Sequence, residues 1–271
     1  MNDLTRIALG VSYNGASFHG WQSQAAGVAT IQDAVQNSLG AVADHQVTLT
    51  CAGRTDAGVH ATCQVTNFDT HASRSLKAWV LGTNAHLPDT ISVNWVREVP
   101  PGFDARFSAA SRRYVYVIVN NRNRSGLMSE MVTREHRHLD AALMNKSAQA
   151  LVGENDFSSF RAASCQSRTA ARNIHHISVE RSGELVVIDI AANAFLHHMV
   201  RNIAGVMLDI GAGEKPASWA GELLALRDRN RASVTAPPNG LYLIQVDYPD
   251  YDEMPKGPQL PHFLGSLPIS T

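Results

Sequence analysis

Eight consecutive residues, Gly53, Arg54, Thr55, Asp56, Ala57, Gly58, Val59 and His60, bring an acid, a guanidinium and an imidazole together between two β-branched segments. A carboxylate there could act as a nucleophile or a base, with a neighbouring cation holding an anionic group. The glycines let the backbone take turns that residues with a Cβ resist. The residues alone leave two readings open. In the commoner one Asp56 is a turn residue bonding its own backbone, Arg54 is solvated and His60 is a satisfied loop histidine. In the other the loop is a catalytic one. A metal is not expected: His60, His197 and His198 are joined by no cluster of carboxylates or thiols, and Cys51, Cys63 and Cys165 form no CxxC pair.

The surrounding elements read as two copies of one topology. In the first half, 5–12 is a strand and 30–43 a helix with apolar residues at Ile31, Ala34, Val35, Leu39 and Val42, capped by Thr30. Segments 46–52 and 62–69 are strands on either side of the Asp56 loop, 74–85 is a helix and 91–97 a strand. In the second half, 112–119 is a strand, 139–151 a helix, 173–181 and 184–191 a hairpin about Ser182-Gly183, 195–210 a helix with Phe195 on its apolar stripe, 217–227 a short helix and 241–248 a strand. Both halves follow β-α-β-β-α-β, the ferredoxin-like arrangement. The fold class is therefore α+β: two ferredoxin-like halves, 1–101 and 102–249, sharing a mixed, mostly antiparallel sheet with a central cleft. A tail, 250–271, is rich in Pro and polar residues and is expected to hang loose.

The chain has 271 residues, 44% hydrophobic and 17% charged, which suits a globular protein that needs no disulfides. An odd cysteine count, an N-terminus without the charge and apolar pattern of a signal peptide, and no run near 18 apolar residues point to a cytoplasmic protein with no membrane partner. Net charge is -1, yet its distribution is uneven. Nineteen of the 23 basic residues are Arg; residues 97–137 hold eight of them against four acids, and 161–181 hold four against Glu180 alone. These clusters read either as solvated surface or as a phosphate-backbone contact, with Arg112, Arg113, Arg168 and Arg172 as candidates.

GRTDAGVHA at 53–61 resembles the catalytic motif of the tRNA pseudouridine synthase A (TruA) family. YNGASFHGWQSQ (13–24), TNAHLPDTISV (83–93), ARFSAASRRYVY (105–116), DFSSFRA (156–162), ANAFLHHMVRN (192–202) and APPNGLYL (236–243) follow in the family's order across nearly the whole chain. Asp104 and Asn155 stand where the family pattern has His. The resemblance implies a homodimer acting on tRNA, isomerising uridine to pseudouridine at positions 38, 39 and 40 of the anticodon stem-loop without cofactor. It assigns chemistry to Asp56, which could attack C1′, add to uracil C6 or take the C2′ proton. Arg201 would be its cationic neighbour, Tyr114 would stack on the extracted base, and Arg54 would hold the displaced nucleotide. Tyr116, on the same strand face as Tyr114, is left to the core. The rival reading is a non-enzymatic RNA-binding protein with RRM-like halves, although the RNP1 pattern is absent and the Asp56 loop would go unexplained.

Overall fold

The structure, a computed structural model, describes residues 4–265. The chain forms two compact units: residues up to Ala110 together with Leu243–Gly265, and Ser111–Tyr242. The sequence places the boundary at 101; the structure places it nine residues later. The intervening segment packs with the first unit through Phe103, whose buried ring meets Tyr248 at 5.0 Å and Tyr251 at 4.9 Å.

In the first unit β1 (Thr5–Tyr13), α1 (Ile31–Ala43), β2 (Thr50–Cys51), β3 (His60–Thr70), α2 (Leu76–His86) and β4 (Ile91–Val99) reproduce the expected order. β1 runs antiparallel to β3, with Ile7 opposite Phe68, and to β4, with Ile7 opposite Glu98. β2 is antiparallel to β3, with Cys51 opposite Thr66. The order β4-β1-β3-β2 is the ferredoxin-like one. Ile7, Leu9, Val35, Leu39, Phe68 and Trp79 fill the core, each worth about 1.5–3 kcal/mol of burial. Thr30 caps α1 as read, accepting from Asp33 N at 3.2 Å. β2 is shorter than the 46–52 segment promised, because Leu49 N–H donates to Gln36 Oε1 of α1 (3.1 Å).

The second unit contains β5 (Ser111–Asn120), β6 (Thr133–Glu135), α3 (Ala141–Ala148), β7 (Gly153–Asp156), β8 (Ala171–Ser182), β9 (Leu185–Ala192), α4 (Met199–Gly211), α5 (Trp219–Leu226) and the first two residues of β10 (Leu241–Asp247). β5 is antiparallel to β9, with Tyr114 opposite Ile190, and β9 to β8 through the expected hairpin. β6 and β7 were not read from the sequence. β6 pairs parallel with β5, and β7 lies antiparallel to β8. α4 begins at Met199, four residues later than expected, because His198 takes a left-handed conformation (φ 61) that stops the helix propagating backwards. Phe195 thus leaves the helix stripe and lies edge-on to Tyr114, centroids 5.2 Å apart.

The segment after Asp250 does not hang loose as far as it is described. Met254 and Leu264 are buried, Gln259 N donates to Ile244 O (2.9 Å), and Thr62 Oγ1 bonds the Gln259 carbonyl. Its prolines and polar residues disguise two apolar anchors. Residues 266–271 of that expected tail lie outside the described residues. Among the described residues no helix is long and apolar enough to cross a membrane, and the three cysteines are free.

Candidate active site

The Asp56 loop leaves β2 and enters β3 inside the first unit, and residues 14–21 brace it. Trp21 N donates to Thr55 O (3.0 Å) and Gly58 N to Phe18 O (3.3 Å). Gly20, at φ +91, is required: a Cβ there would stand 2.8 Å from Thr55 O. The same stretch meets the first turn of α1, where Ile31 N donates to Gly20 O (3.1 Å) and Gln32 N to Trp21 O (3.0 Å). Side chains lock the other flank. Buried Thr55 shares a 2.8 Å hydrogen bond with Tyr13 Oη, and Gln64 Nε2 donates to Gly53 O at 2.6 Å.

Asp56 is half-buried and Arg54 exposed. The turn over Asp56–Val59 is closed by Val59 N on the Asp56 carbonyl (3.1 Å), a bond any residue type supplies. His60 behaves as a satisfied histidine: buried, it accepts Gly15 N–H on Nδ1 (3.0 Å). On the strand just before the loop, burial pushes the Cys51 thiol up to about 11, against the opposing pull of Arg54 and Arg106.

In the second unit Tyr114 is 8% exposed on β5, and Tyr116 is fully buried on the same face. The Tyr116 hydroxyl bonds Thr133 Oγ1 (2.6 Å) and Pro237 O (2.9 Å), and burial pushes its pKa well above the usual range. Arg201 is one of two α4 residues with partial exposure. Its Nε donates to Ala236 O (2.9 Å) while Ala236 N donates to Arg201 O (3.1 Å). Gly205, one turn on, lets this segment lie against the helix: a Cβ would sit 2.1 Å from Val234 O. The sequence reading missed Asn202, 1% exposed at the centre of these bonds. It donates to Phe160 O (2.7 Å) and accepts from Thr235 Oγ1 (2.7 Å) and Arg229 (3.0 Å). The signal available was a lone amide inside the apolar run from Met199 to Leu208.

The four arginines proposed for phosphates separate. Arg168 is exposed. Arg172 is partly buried and spends donors on Ala171 O (2.5 Å), Thr169 O (3.2 Å) and Ser167 Oγ (2.7 Å). Arg112 donates to Asn193 O at 3.1 Å. Arg113 forms a bidentate pair with buried Asp189, 2.8 and 2.5 Å, which commits its guanidinium to the sheet.

A family model described as tRNA pseudouridine synthase matches residues 10–108 and 147–249. Asp56, Arg54, Arg168, Arg172 and Arg201 fall inside those stretches; Arg112, Arg113 and Tyr114 fall between them. The chain is 53% identical over 265 residues to tRNA pseudouridine synthase A of Pseudomonas aeruginosa, covering 98% of this chain and 93% of that one. It is 55% identical over 251 residues to the protein of that name from Shewanella sp. (strain W3-18-1), covering 93% and 96%. For that of Cronobacter sakazakii identity is 54% over 261 residues, 96% of each. A braced Asp56 loop between β2 and β3, the family model and three relatives above half identity agree, and the chain belongs to the tRNA pseudouridine synthase family.

Proposed function

We propose that this enzyme isomerises uridine to pseudouridine at positions 38, 39 and 40 of the tRNA anticodon stem-loop, with Asp56 as the catalytic residue. The N1–C1′ bond breaks, the uracil turns, C5 bonds to C1′, and the C5 hydrogen leaves as a proton replaced at N1. Product and substrate are isomers, so no electron carrier enters the balance. The observation that carries the assignment is the bracing of the Asp56 loop. Four hydrogen bonds fix its backbone and flanks, which is the preorganisation a reacting carboxylate requires.

The target must leave the stack, at a cost of a few kcal/mol. Arg54, exposed on the same loop, is assigned to the displaced nucleotide, and Tyr114 and Arg201 to substrate binding. Arg112 and Arg168 are assigned to tRNA phosphates, with Arg168 the best placed by its exposure, while Arg172 braces the loop beside it. We assign the working form as a cytoplasmic homodimer, testable by sedimentation of the purified chain. The decisive experiment is tritium release from tRNA labelled at uridine C5, using substrates with a single uridine at 38, 39 or 40. Release from each supports the reading. Tight tRNA binding without release supports the non-enzymatic alternative.

A further inference from the structure

Phe107 is the one exposed Phe, Tyr or Trp side chain among the described residues, at 79%. Single exposed apolar side chains such as Leu127 and Val234 are ordinary, but this ring is set apart by the ordered turn that holds it and by the cation beside it. The turn that carries it is rigid. Asp104 Oδ1 accepts from the backbone N–H of Arg106 (2.8 Å) and of Phe107 itself (2.9 Å). Ser108 N donates to Asp104 O (2.9 Å), and Ser108 Oγ accepts from Asp104 N (3.0 Å). Beneath, Ala105 is fully buried, held by Asn67 Oδ1 on its N–H (2.8 Å) and by the Tyr248 hydroxyl on its carbonyl (2.6 Å). The Arg106 guanidinium, also exposed, lies 5.1 Å from the centroid of the Phe107 ring.

This turn stands beside the proposed catalytic loop within one unit. Asn67, its anchor, pairs with Thr50, and the next residue, Cys51, leads straight into Gly53–His60. Arg54 and Arg106 both act electrostatically on Cys51, so each guanidinium lies within reach of that residue. The surface thus combines an ordered aromatic face with two cations, and the only carboxylate in the turn, Asp104, is occupied by backbone N–H groups.

We propose that Phe107, with Arg106 on its ring, is a stacking platform for an unpaired base of the RNA substrate, next to the Asp56 loop. A bare π-face with flanking cations is the chemistry that holds single-stranded nucleic acid irrespective of base identity. The assignment rests on the pseudouridine synthase reading and adds a contact to it. A second protein would find here a single apolar ring flanked by charge, and that alternative is an outcome of the test.

Because Phe107 is exposed, its variants fold. Phe107→Leu keeps apolar volume and removes the π-face; Phe107→Tyr and Phe107→Trp keep it. The Leu variant is expected to bind an anticodon stem-loop RNA about ten- to a hundredfold more weakly and to raise KM far more than it lowers kcat. The Tyr and Trp variants are expected to retain most of the affinity. Adding the RNA should quench emission of Phe107→Trp beyond any change in the parent chain. Affinity of Phe107→Leu equal to the parent's overturns the proposal. So does a Leu variant whose only change is a shift in sedimentation, the mark of a protein contact. Either result would leave tritium release by the parent enzyme intact. Absence of that release would instead overturn the enzymatic reading.

Discussion

Replacing Asp56 by Asn exchanges one oxygen for nitrogen and removes a charge while leaving the braced loop as it is. Five of the bonds that hold the loop, from the Trp21, Gly58 and Val59 backbone N–H groups and from Tyr13 and Gln64, go to atoms other than the Asp56 carboxylate. Asp56→Asn is a near-isosteric change at a half-buried position and should alter stability by about 1 kcal/mol, leaving the fold intact. Each of the three roles open to Asp56 needs the carboxylate, so tritium release should fall to background. Near-normal release from a purified, folded Asp56→Asn enzyme would remove this residue from the mechanism. The motif made Asp56 and Arg54 legible in the sequence, since both lie in one contiguous loop. The supporting shell was not legible. Tyr13 meets Thr55 across 42 residues and Gln64 reaches Gly53 across 11, and such pairings are set by strand register rather than local pattern.

Two elements of the second unit hang on buried polar groups. Asn202 ties α4 to the turn ending at Phe160 and to the loop carrying Arg229 and Thr235. Asn202→Ala leaves a buried carbonyl and two donors without their partner, and should cost about 2–4 kcal/mol in denaturant unfolding. Loss of much less would show that water replaces the amide. On β6, Glu135 is 8% exposed and accepts from Arg137 N (2.8 Å), Nε (3.1 Å) and Nη2 (2.7 Å). Burial pushes its carboxyl up, but these bonds and the charges of Arg137 and His136 outweigh it, so the net direction is below the usual 4.5. A folded-state value below the unfolded one gives stability that is present above about pH 4.5 and lost as pH falls through the folded value. Glu135→Gln should thus be about 1–3 kcal/mol less stable than the parent at pH 7, with the gap closing below pH 4. A gap independent of pH would deny the charged pairing. These elements explain what periodicity missed. Thr133-Arg134-Glu135 and Gly153–Asp156 have no apolar alternation, yet they form strands, because edge pairing to β5 and β8 needs only free backbone groups. The apolar stripe of α4 was legible; its true start was not, because the left-handed His198 carries no composition signal.

At the scale of the whole molecule, net charge near zero hides local excesses of arginine, and counting them overstates the surface offered to RNA. Around the 161–172 loop the labour divides. Arg161 holds Cys165 O (2.8 Å) and Ser167 O (2.7 Å), Arg172 holds Thr169 O, Ala171 O and Ser167 Oγ, and exposed Arg168 stands between them. Two arginines shape the loop and the third is placed for a phosphate. Arg113, on β5, is 11% exposed and faces a partner, Asp189, that is 2% exposed. Each phosphate contact releases counterions, so log K falls with log salt by about 0.7–0.9 per contact. Arg168→Gln should flatten the tRNA-binding slope by about that amount, weaken all tRNAs alike, and leave the rate of bound substrate near normal, since phosphate contacts carry no base identity. Arg113→Gln should leave the slope unchanged. It removes the bidentate partner of the buried Asp189 carboxylate and leaves His176 Nε2 at 3.8 Å, at a cost of about 3–5 kcal/mol, so its effect should appear in unfolding. Filter binding over a range of salt, run beside denaturant melts of both variants, separates the two roles. A flattened slope for Arg113→Gln at intact stability would place its guanidinium on the RNA and the Asp189 pair in a free-enzyme state only. An unchanged slope for Arg168→Gln would make the 161–172 cluster ordinary surface and send the search for the phosphate path to exposed Arg122 and Arg124.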